Sequence, residues 1–345
     1  MYTLDAGPRT AVRRVLRQHD GALGMKLVIV IVELIGGKPP AASLELLGLA
    51  CLLAKGGAVV AMALGADDAI AQTLIERGAD TVYVSGGFNM TGYNSDTWVS
   101  CGERLARELT PAVILLAHNS TGADLAPRLA FRLGVGCATG CVAVEDGNGA
   151  LHFTRPCYGG NARETVSFNT DLAVATVRQG IYDALPADAA RRGKIITVEL
   201  PPSRVRVIER QRDDGGAQRL EDAKIIVAGG RGLNGPDGFK VLAPLAATLG
   251  GVVGASRVPC DLGWCSHAMQ IGLTGKTVTP ELYIAVGISG ASHHLAGCGN
   301  AKTIVAINTD AEAAIFRDAK FGVVGDYAKV VPALTAAVKA LPPLA

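Results

Sequence analysis

The chain has 345 residues, of which 49% are hydrophobic and 19% charged, with 43 glycines and a formal net charge of +2. At roughly 150 residues per domain this length suggests two domains, and the composition fits an α/β protein better than a coiled coil or a disordered chain. The near-neutral charge, with basic residues only in isolated pairs such as Arg13-Arg14 and Arg191-Arg192, argues against nucleic acid or a membrane surface as partner.

Residues 1–24 are polar, contain arginine and read as an N-terminal extension. The first apolar run, Leu27–Ile35, is too short to span a bilayer and reads as a buried strand, so a soluble, cytoplasmic protein is expected. From there strands and helices alternate. Strands are expected at Lys26–Leu34, Ala58–Leu64, Thr81–Val84 and Pro111–Ala117. Helices are expected at Ser43–Ala54 (with Ser43 as cap), Asp67–Arg77, Glu103–Leu109 and Thr121–Leu133. That alternation predicts a parallel sheet. After Cys137 the rhythm shortens to segments such as Leu151–Arg155 and Glu164–Phe168 between glycine turns, which read as added antiparallel strands. Arg204–Asp222 is charged and aperiodic, contains Asp213-Asp214-Gly215-Gly216, and reads as a linker between an N-terminal α/β domain (25–203) and a second domain (223–345).

The second domain repeats the rhythm as a doubly wound parallel sheet. Strands are expected at Lys224–Ala228, Val252–Ala255, Leu282–Val286, Thr303–Ile307 and Gly322–Val324, and helices at Phe239–Leu249, Ala311–Phe316 and Tyr327–Leu341. Unusual residues fall just after these strands: Arg231 after the first, Ser256 and Arg257 after the second, Ser289 after the third, Asn308 after the fourth. Ligands of open parallel sheets bind outside the carboxyl strand ends, so this coincidence predicts a cofactor crevice with glycines at points of close approach.

Other chemistries are poorly served. The eight cysteines include no CxxC pair and read as free thiols; Cys260 and Cys265 are five apart. The segment Gln270–Lys276, QIGLTGK, lacks the glycine spacing of a Walker loop. Adjacent His293 and His294 have no acidic or cysteine ligand at a fixed offset, so no metal is expected. No catalytic dyad is evident for a nicotinamide-dependent dehydrogenase, and a colourless nucleotide-binding regulatory module is a further alternative.

Taken together, the segments GGRGL, GASR, QIGLTGKTVTPELYIAVGISGASHHLAG, IVAIN and FGVVGD, in that order over Ala228–Leu334, resemble the C-terminal domain of electron-transfer flavoprotein alpha subunits. HNSTGADLAPRLAFRLGVG and RPCYGGN resemble the N-terminal signatures of the same family. The resemblance implies a non-enzymatic electron carrier that holds FAD and pairs with a beta subunit, which itself binds AMP, or a second FAD in electron-bifurcating members that use NADH. It implies flavin-dependent dehydrogenases of the acyl-CoA or N-methyl amine type as donors and a membrane quinone oxidoreductase as acceptor. The FAD contacts it implies are Arg231, Ser256 and Arg257, the last against the isoalloxazine. It also implies Gln270, Ile271, Gly272, Leu273 and Thr274, with the Thr274 hydroxyl near N5, and His294 near the O2 carbonyl. Ser289, Gly290, Ala291, Ser292 and His293 fall in the loop around the pyrophosphate and ring, and Asn308 and Asp326 lie towards the adenosine. A cation or donor at Arg257 or His294 would favour the negative charge that reduction places on the flavin. Leu273 and His293 stand where many members carry Gln.

Overall fold

The structure, a computed structural model, describes residues 25–85, 93–147, 149–158, 162–205, 208–209 and 219–340. The expected extension 1–24, Asp213–Gly216 of the expected linker and Gly159-Gly160-Asn161 of the RPCYGGN signature lie outside the described residues. The rest forms two compact units. One takes the residues up to Pro156 and from Arg163 to Gln211; the other takes Cys157–Ala162 and those from Arg212 on.

The first unit is built on a seven-stranded parallel sheet. β1 (Val28–Ile31), β2 (Val59–Ala63), β3 (Thr81–Ser85) and β4 (Val113–Ala117) alternate with α1 (Ala41–Ala54), α2 (Asp68–Glu76), α3 (Ser95–Leu109) and α4 (Ser120–Leu133). β1 is apolar throughout because both its faces are covered, as befits a central parallel strand. Val28 and Val30 join a core with Leu46, Leu47, Leu53, Leu74 and Ile75. Ile29 and Ile31 join the opposite core with Trp98, Leu105, Leu125 and Leu129. Three strands that the sequence reading leaves unassigned complete the sheet: β5 (Gly136–Cys141), β9 (Ala173–Val177) and β10 (Lys194–Val198). The order is β10-β3-β2-β1-β4-β9-β5. β5 escapes a periodicity search because GCATGC is made of small residues with no apolar alternation.

The short segments after Cys141 form a separate three-stranded sheet, β6 (Ala143–Gly147), β7 (Ala150–Cys157) and β8 (Ala162–Val166), in which β6 and β7 are antiparallel. Lys26, at the start of β1, and Lys55 both pair with buried Asp146 on β6. Their charges hold its carboxyl below the usual range.

Two helix boundaries differ from expectation in the first unit. α1 begins at Ala41 behind Pro40, whose missing N–H suits a helix start. Ser43, expected as the cap, is instead buried inside the helix, with no hydrogen-bond partner for its hydroxyl. α3 begins eight residues before Glu103, at Ser95, because the Asn94 side chain accepts the Thr97 N–H and so caps it.

The second unit is a five-stranded parallel sheet in the order β12-β11-β13-β14-β15. Its strands are β11 (Ile225–Gly229), β12 (Val252–Ala255), β13 (Leu282–Val286), β14 (Thr303–Asn308) and β15 (Phe321–Val324). α5 (Asp237–Thr248) and α9 (Tyr327–Ala340) cover one face, where Val227, Leu242, Leu245, Ile284 and Val331 are buried together. The other face buries Ile226, Ala228, Tyr283, Ile271, Cys298 and Ile315 against α7 (Ser292–Cys298), α8 (Ile315–Asp318) and neighbouring loops, and α6 (Arg257–Asp261) follows β12. The unit is thus doubly wound. Leu220, at the end of the aperiodic stretch, is buried in this second core. The helix expected at Ala311–Phe316 shrinks to α8. The Asp310 carboxylate takes the Glu312 N–H and makes a turn there instead.

Candidate functional site

β11 and β12 lie side by side, and β13 flanks β11 on its other edge, so the strand order reverses at β11/β13. The loops that follow these two strands touch backbone to backbone. Gly230 N–H donates to the Val286 carbonyl (2.9 Å) and Gly232 N–H to the Gly287 carbonyl (3.0 Å). A Cβ on Gly230 would lie 2.2 Å from the Gly287 oxygen, and Gly287 has φ +61° with Gly232 atoms within 3.0 Å of its own Cβ position. GGRG is therefore a turn whose glycines permit close approach of a second loop.

From this junction the side chains diverge outward. Arg231 is exposed, and Ser256 begins α6, its N–H bonded to the Gly229 carbonyl. Ser289 and Ala291 are exposed on the loop after β13 and Ser292 and His293 on the first turn of α7, while Gly290 is buried, with φ +84° and no room for a side chain beside Ile315. The side chains of Arg231, Ser256, Ser289 and Ser292 have no hydrogen-bond or ion-pair partner among the described residues. Arg257 pairs with Asp261 one helical turn on (3.0 Å); both are largely exposed, and such a surface pair holds only about 0.5 kcal/mol, leaving the guanidinium free to exchange for a better anion.

Gln270–Thr274 approaches from β12, pinned by the Ile271 N–H to the Ala255 carbonyl. Gln270 is buried, and its amide donates to the Thr274 hydroxyl (3.0 Å). Since Thr274 oxygen accepts that bond, its own O–H remains to donate outward. Leu273 is 56% exposed. Gly272 is buried with φ +145° and lies against the His293 carbonyl. The Ile271 side chain is in the core and its carbonyl accepts from His294, so it supports the loop from below. Lys276 reaches Glu221 (3.3 Å).

His294 is buried, with Nδ1 3.1 Å from the Ile271 carbonyl and Nε2 2.9 Å from the Tyr283 hydroxyl. A carbonyl can only accept, so Nδ1 carries the proton and Nε2 accepts from Tyr283. Burial pushes the pKa down to about 4, so the ring is neutral at pH 7 and in this arrangement offers no spare N–H. Tyr283, the partner that sequence reasoning missed, is a fully buried strand residue that reads as plain core; only its pairing with His294 marks it. Asn308 and Asp326 stand farther along the sheet. The Asn308 amide donates to the Ile288 carbonyl (3.0 Å), and the Asp326 carboxylate takes the Ala328 N–H at the start of α9.

Residues 28–203 match the electron transfer flavoprotein domain, and residues 219–299 match the electron transfer flavoprotein FAD-binding domain. The chain belongs to the electron transfer flavoprotein alpha-subunit family. It is 41% identical to the alpha subunit of Thermoanaerobacterium thermosaccharolyticum over 92% of this chain and 98% of that protein. It is 40% identical to that of Bacillus subtilis over the same shares. Protein FixB of Clostridium saccharobutylicum is 38% identical over 91% of this chain and 96% of its own length. FAD is accordingly the cofactor of the second unit, and the donor set there suits it. Two guanidiniums and several unpartnered hydroxyls, set on loops whose glycines keep side chains out of the way, match an anionic pyrophosphate and a ring that gains negative charge.

The first unit holds a cavity of about 710 Å³ between α3, α4 and Pro202–Arg204. Its arginines are already paired, Arg128 and Arg204 with Asp96 and Arg132 with Glu103.

Proposed function

We propose that this chain is the FAD-holding half of a heterodimeric electron carrier. It takes electrons from flavin-dependent dehydrogenases of the acyl-CoA or N-methyl amine type and gives them to a membrane quinone oxidoreductase, with no substrate of its own. The observation that carries this reading is the set of groups at the ends of β11, β12 and β13, unpartnered Arg231, Ser256 and Ser289 together with the weakly paired Arg257, within and beside the stretch that matches the family's FAD-binding domain. FAD supplies the one- and two-electron chemistry when bound. On this reading Arg231, Ser256 and Ser289 hold the diphosphate, Arg257 sets the potential of the ring beside it, and Thr274 donates a hydrogen bond to the ring. Asn308 and Asp326 face the adenosine side. His294 acts from beneath by fixing the Ile271 carbonyl and hence the turn that presents Thr274.

A beta subunit as partner agrees with the apolar surface the second unit exposes. The edge strand β15 leaves Phe321, Val323 and Val324 largely exposed, and Val258, Leu262 and Leu273 are exposed near the candidate site. No described helix is long and apolar enough to cross a membrane, so the quinone-linked acceptor is met as a separate protein, from the cytoplasmic side on this reading.

Counting flavins in the purified heterodimer tests the proposal. One FAD per pair, reduced by a dehydrogenase and not by NADH, is expected. Two flavins with reduction by NADH would replace it with a bifurcating carrier, and a colourless heterodimer would end it. The chain purified without its partner is expected to lose FAD on gel filtration.

A further inference from the structure

α6 is only five residues long, and the way it stops brings two cysteines together. The Leu262 N–H bonds to the Val258 carbonyl (3.0 Å), the Gly263 N–H to that of Cys260 (2.9 Å) and the Trp264 N–H to that of Pro259 (2.9 Å), while Gly263 takes φ +72°. This is the left-handed glycine stop of a helix, which turns the chain back across its own last turn. The residue after Trp264 therefore returns beside α6. Cys260 Sγ and Cys265 Sγ lie 3.5 Å apart, in mutual hydrogen-bond contact. Cys260 is buried, with its sulfur 3.6 Å from the carbonyls of both Ser256 and Ser266; Cys265 is half-buried. No other cysteine pair among the described residues is hydrogen-bonded sulfur to sulfur.

Neither thiol is used by the proposed carrier chemistry, and their meeting is a product of the turn. A shift of about 1.5 Å brings them to bonding distance, since a disulfide needs about 2.05 Å between sulfurs. We propose that Cys260 and Cys265 are a redox-active dithiol, oxidised to a disulfide by exchange with a low-molecular-weight disulfide such as glutathione disulfide. The half-buried Cys265 sulfur, as thiolate, attacks one sulfur of the external disulfide. That S–S bond breaks and one glutathione leaves as thiol. Cys260 then loses its proton and attacks Cys265 Sγ, the mixed disulfide breaks, and the second glutathione leaves. Two protein S–H bonds are exchanged for one S–S bond, and the two electrons and two protons end on two glutathione thiols.

Burial and the neighbouring sulfur push the Cys265 thiol up to about 12. Exchange is therefore slow near pH 7 and quickens with pH as the thiolate fraction grows, while the equilibrium at neutral pH, where all species are protonated, is governed by how closely the sulfurs are held. The disulfide would staple the end of α6 to the start of the segment that runs through Ser266 to Gln270. It would thereby fix both strips of backbone that carry Arg257 and Thr274. That consequence rests on the FAD-site reading; the thiol chemistry does not.

The test uses the FAD-loaded heterodimer at pH 8.5, equilibrated anaerobically with glutathione and glutathione disulfide at graded ratios. Samples are quenched in acid, alkylated and digested with trypsin. Cleavage after Arg257 and Lys276 gives one peptide that contains Cys260 and Cys265 and no other cysteine. The expected course is a direct passage from the doubly alkylated peptide to one that is two hydrogens lighter and unlabelled, with singly labelled forms staying minor. Cys260→Ser should instead accumulate one glutathione on Cys265. A wild-type peptide that keeps both labels in excess glutathione disulfide, or that carries an unresolved glutathione adduct, would overturn the proposal, whatever the variant does.

Discussion

At the carboxyl ends of the seven-stranded sheet the polar groups satisfy one another, whereas at the same ends of the five-stranded sheet they face outward. Both sheets reverse strand order, at β1/β4 in the first unit and at β11/β13 in the second. In the first, the carboxylate of Glu33, just beyond β1, accepts from the Asn119 amide (2.6 Å) and the Thr121 hydroxyl (2.7 Å) at the start of α4. An anion is favoured at a helix N-terminus, and here the protein supplies its own. His118 beside it is tied to Thr176 (2.9 Å), whose hydroxyl also accepts the Gly140 N–H, and the Ser85 hydroxyl accepts from Gly65. Among the described residues of the second unit no acidic side chain plays that part for Arg231, Ser256 or Ser289. One architecture thus serves once as a closed scaffold and once as a cofactor cradle. The difference lies in a handful of loop residues, while the sheets themselves follow the same rules.

The comparison can be pressed hardest at His294, which carries the second unit's most perturbed buried base. Its folded pKa of about 4 lies below the ordinary value near 6.5, so the unfolded chain takes up the proton first. The stability contribution is whole above about pH 6.5 and is lost as pH falls towards 4, to a total of roughly 3 kcal/mol. Urea unfolding followed at Trp264, in a Trp98→Phe background, should show a steeper fall between pH 7 and 4.5 in the parent than in His294→Gln. Equal falls would refute the assignment.

Next in size are the glycines at the two junctions. Gly230→Ala drives a methyl to 2.2 Å from the Gly287 oxygen, and Gly122→Ala in α4 drives one to 1.9 Å from the Ala117 oxygen. Each should cost about 2 kcal/mol in thermal or urea unfolding. Only Gly230→Ala should also loosen FAD; a similar loss of FAD from Gly122→Ala would blur the distinction between scaffold and cradle.

Arg257→Met should weaken FAD binding by ~1.5 kcal/mol, or about tenfold, as read by flavin fluorescence on dilution. Asp261→Asn, which frees the same arginine from its surface pair, should leave retention unchanged or improve it. Glu33→Ala should cost the first unit about 1 kcal/mol. Added sulfate should then stabilise the variant more than it stabilises the parent, by taking the vacated place at α4; no difference would mean that Glu33 is not acting as an internal anion.

Much of the candidate site was legible because its residues follow strands that announce themselves. Arg231, Ser256, Arg257 and Ser289 each come directly after an apolar run of strand length, and parallel sheets place such positions together. Ile271 and His294 were less legible. Both sit in a segment whose outward members, Leu273, Thr274 and His293, look no different in sequence, and only the packing of β13 against that loop turns two of them inward. α3 was read eight residues too short, although Asn94-Ser95-Asp96 holds a recognisable start signal, because the polar composition of its first turns masks the Trp98, Cys101 and Leu105 face.

The residues alone determined two α/β units, the parallel sense of their sheets and the strand ends on which chemistry would gather, since these depend on period, length and glycine placement along a local stretch. Tertiary structure alone decided which polar groups are already spent. Glu33 closes one switch point from 86 residues away in sequence, Tyr283 claims His294, and the reversal at Gly263 brings Cys265 to Cys260. Hydrogen bonding is a pairwise accounting over distance in space, and a linear pattern holds no record of which donor reaches which acceptor.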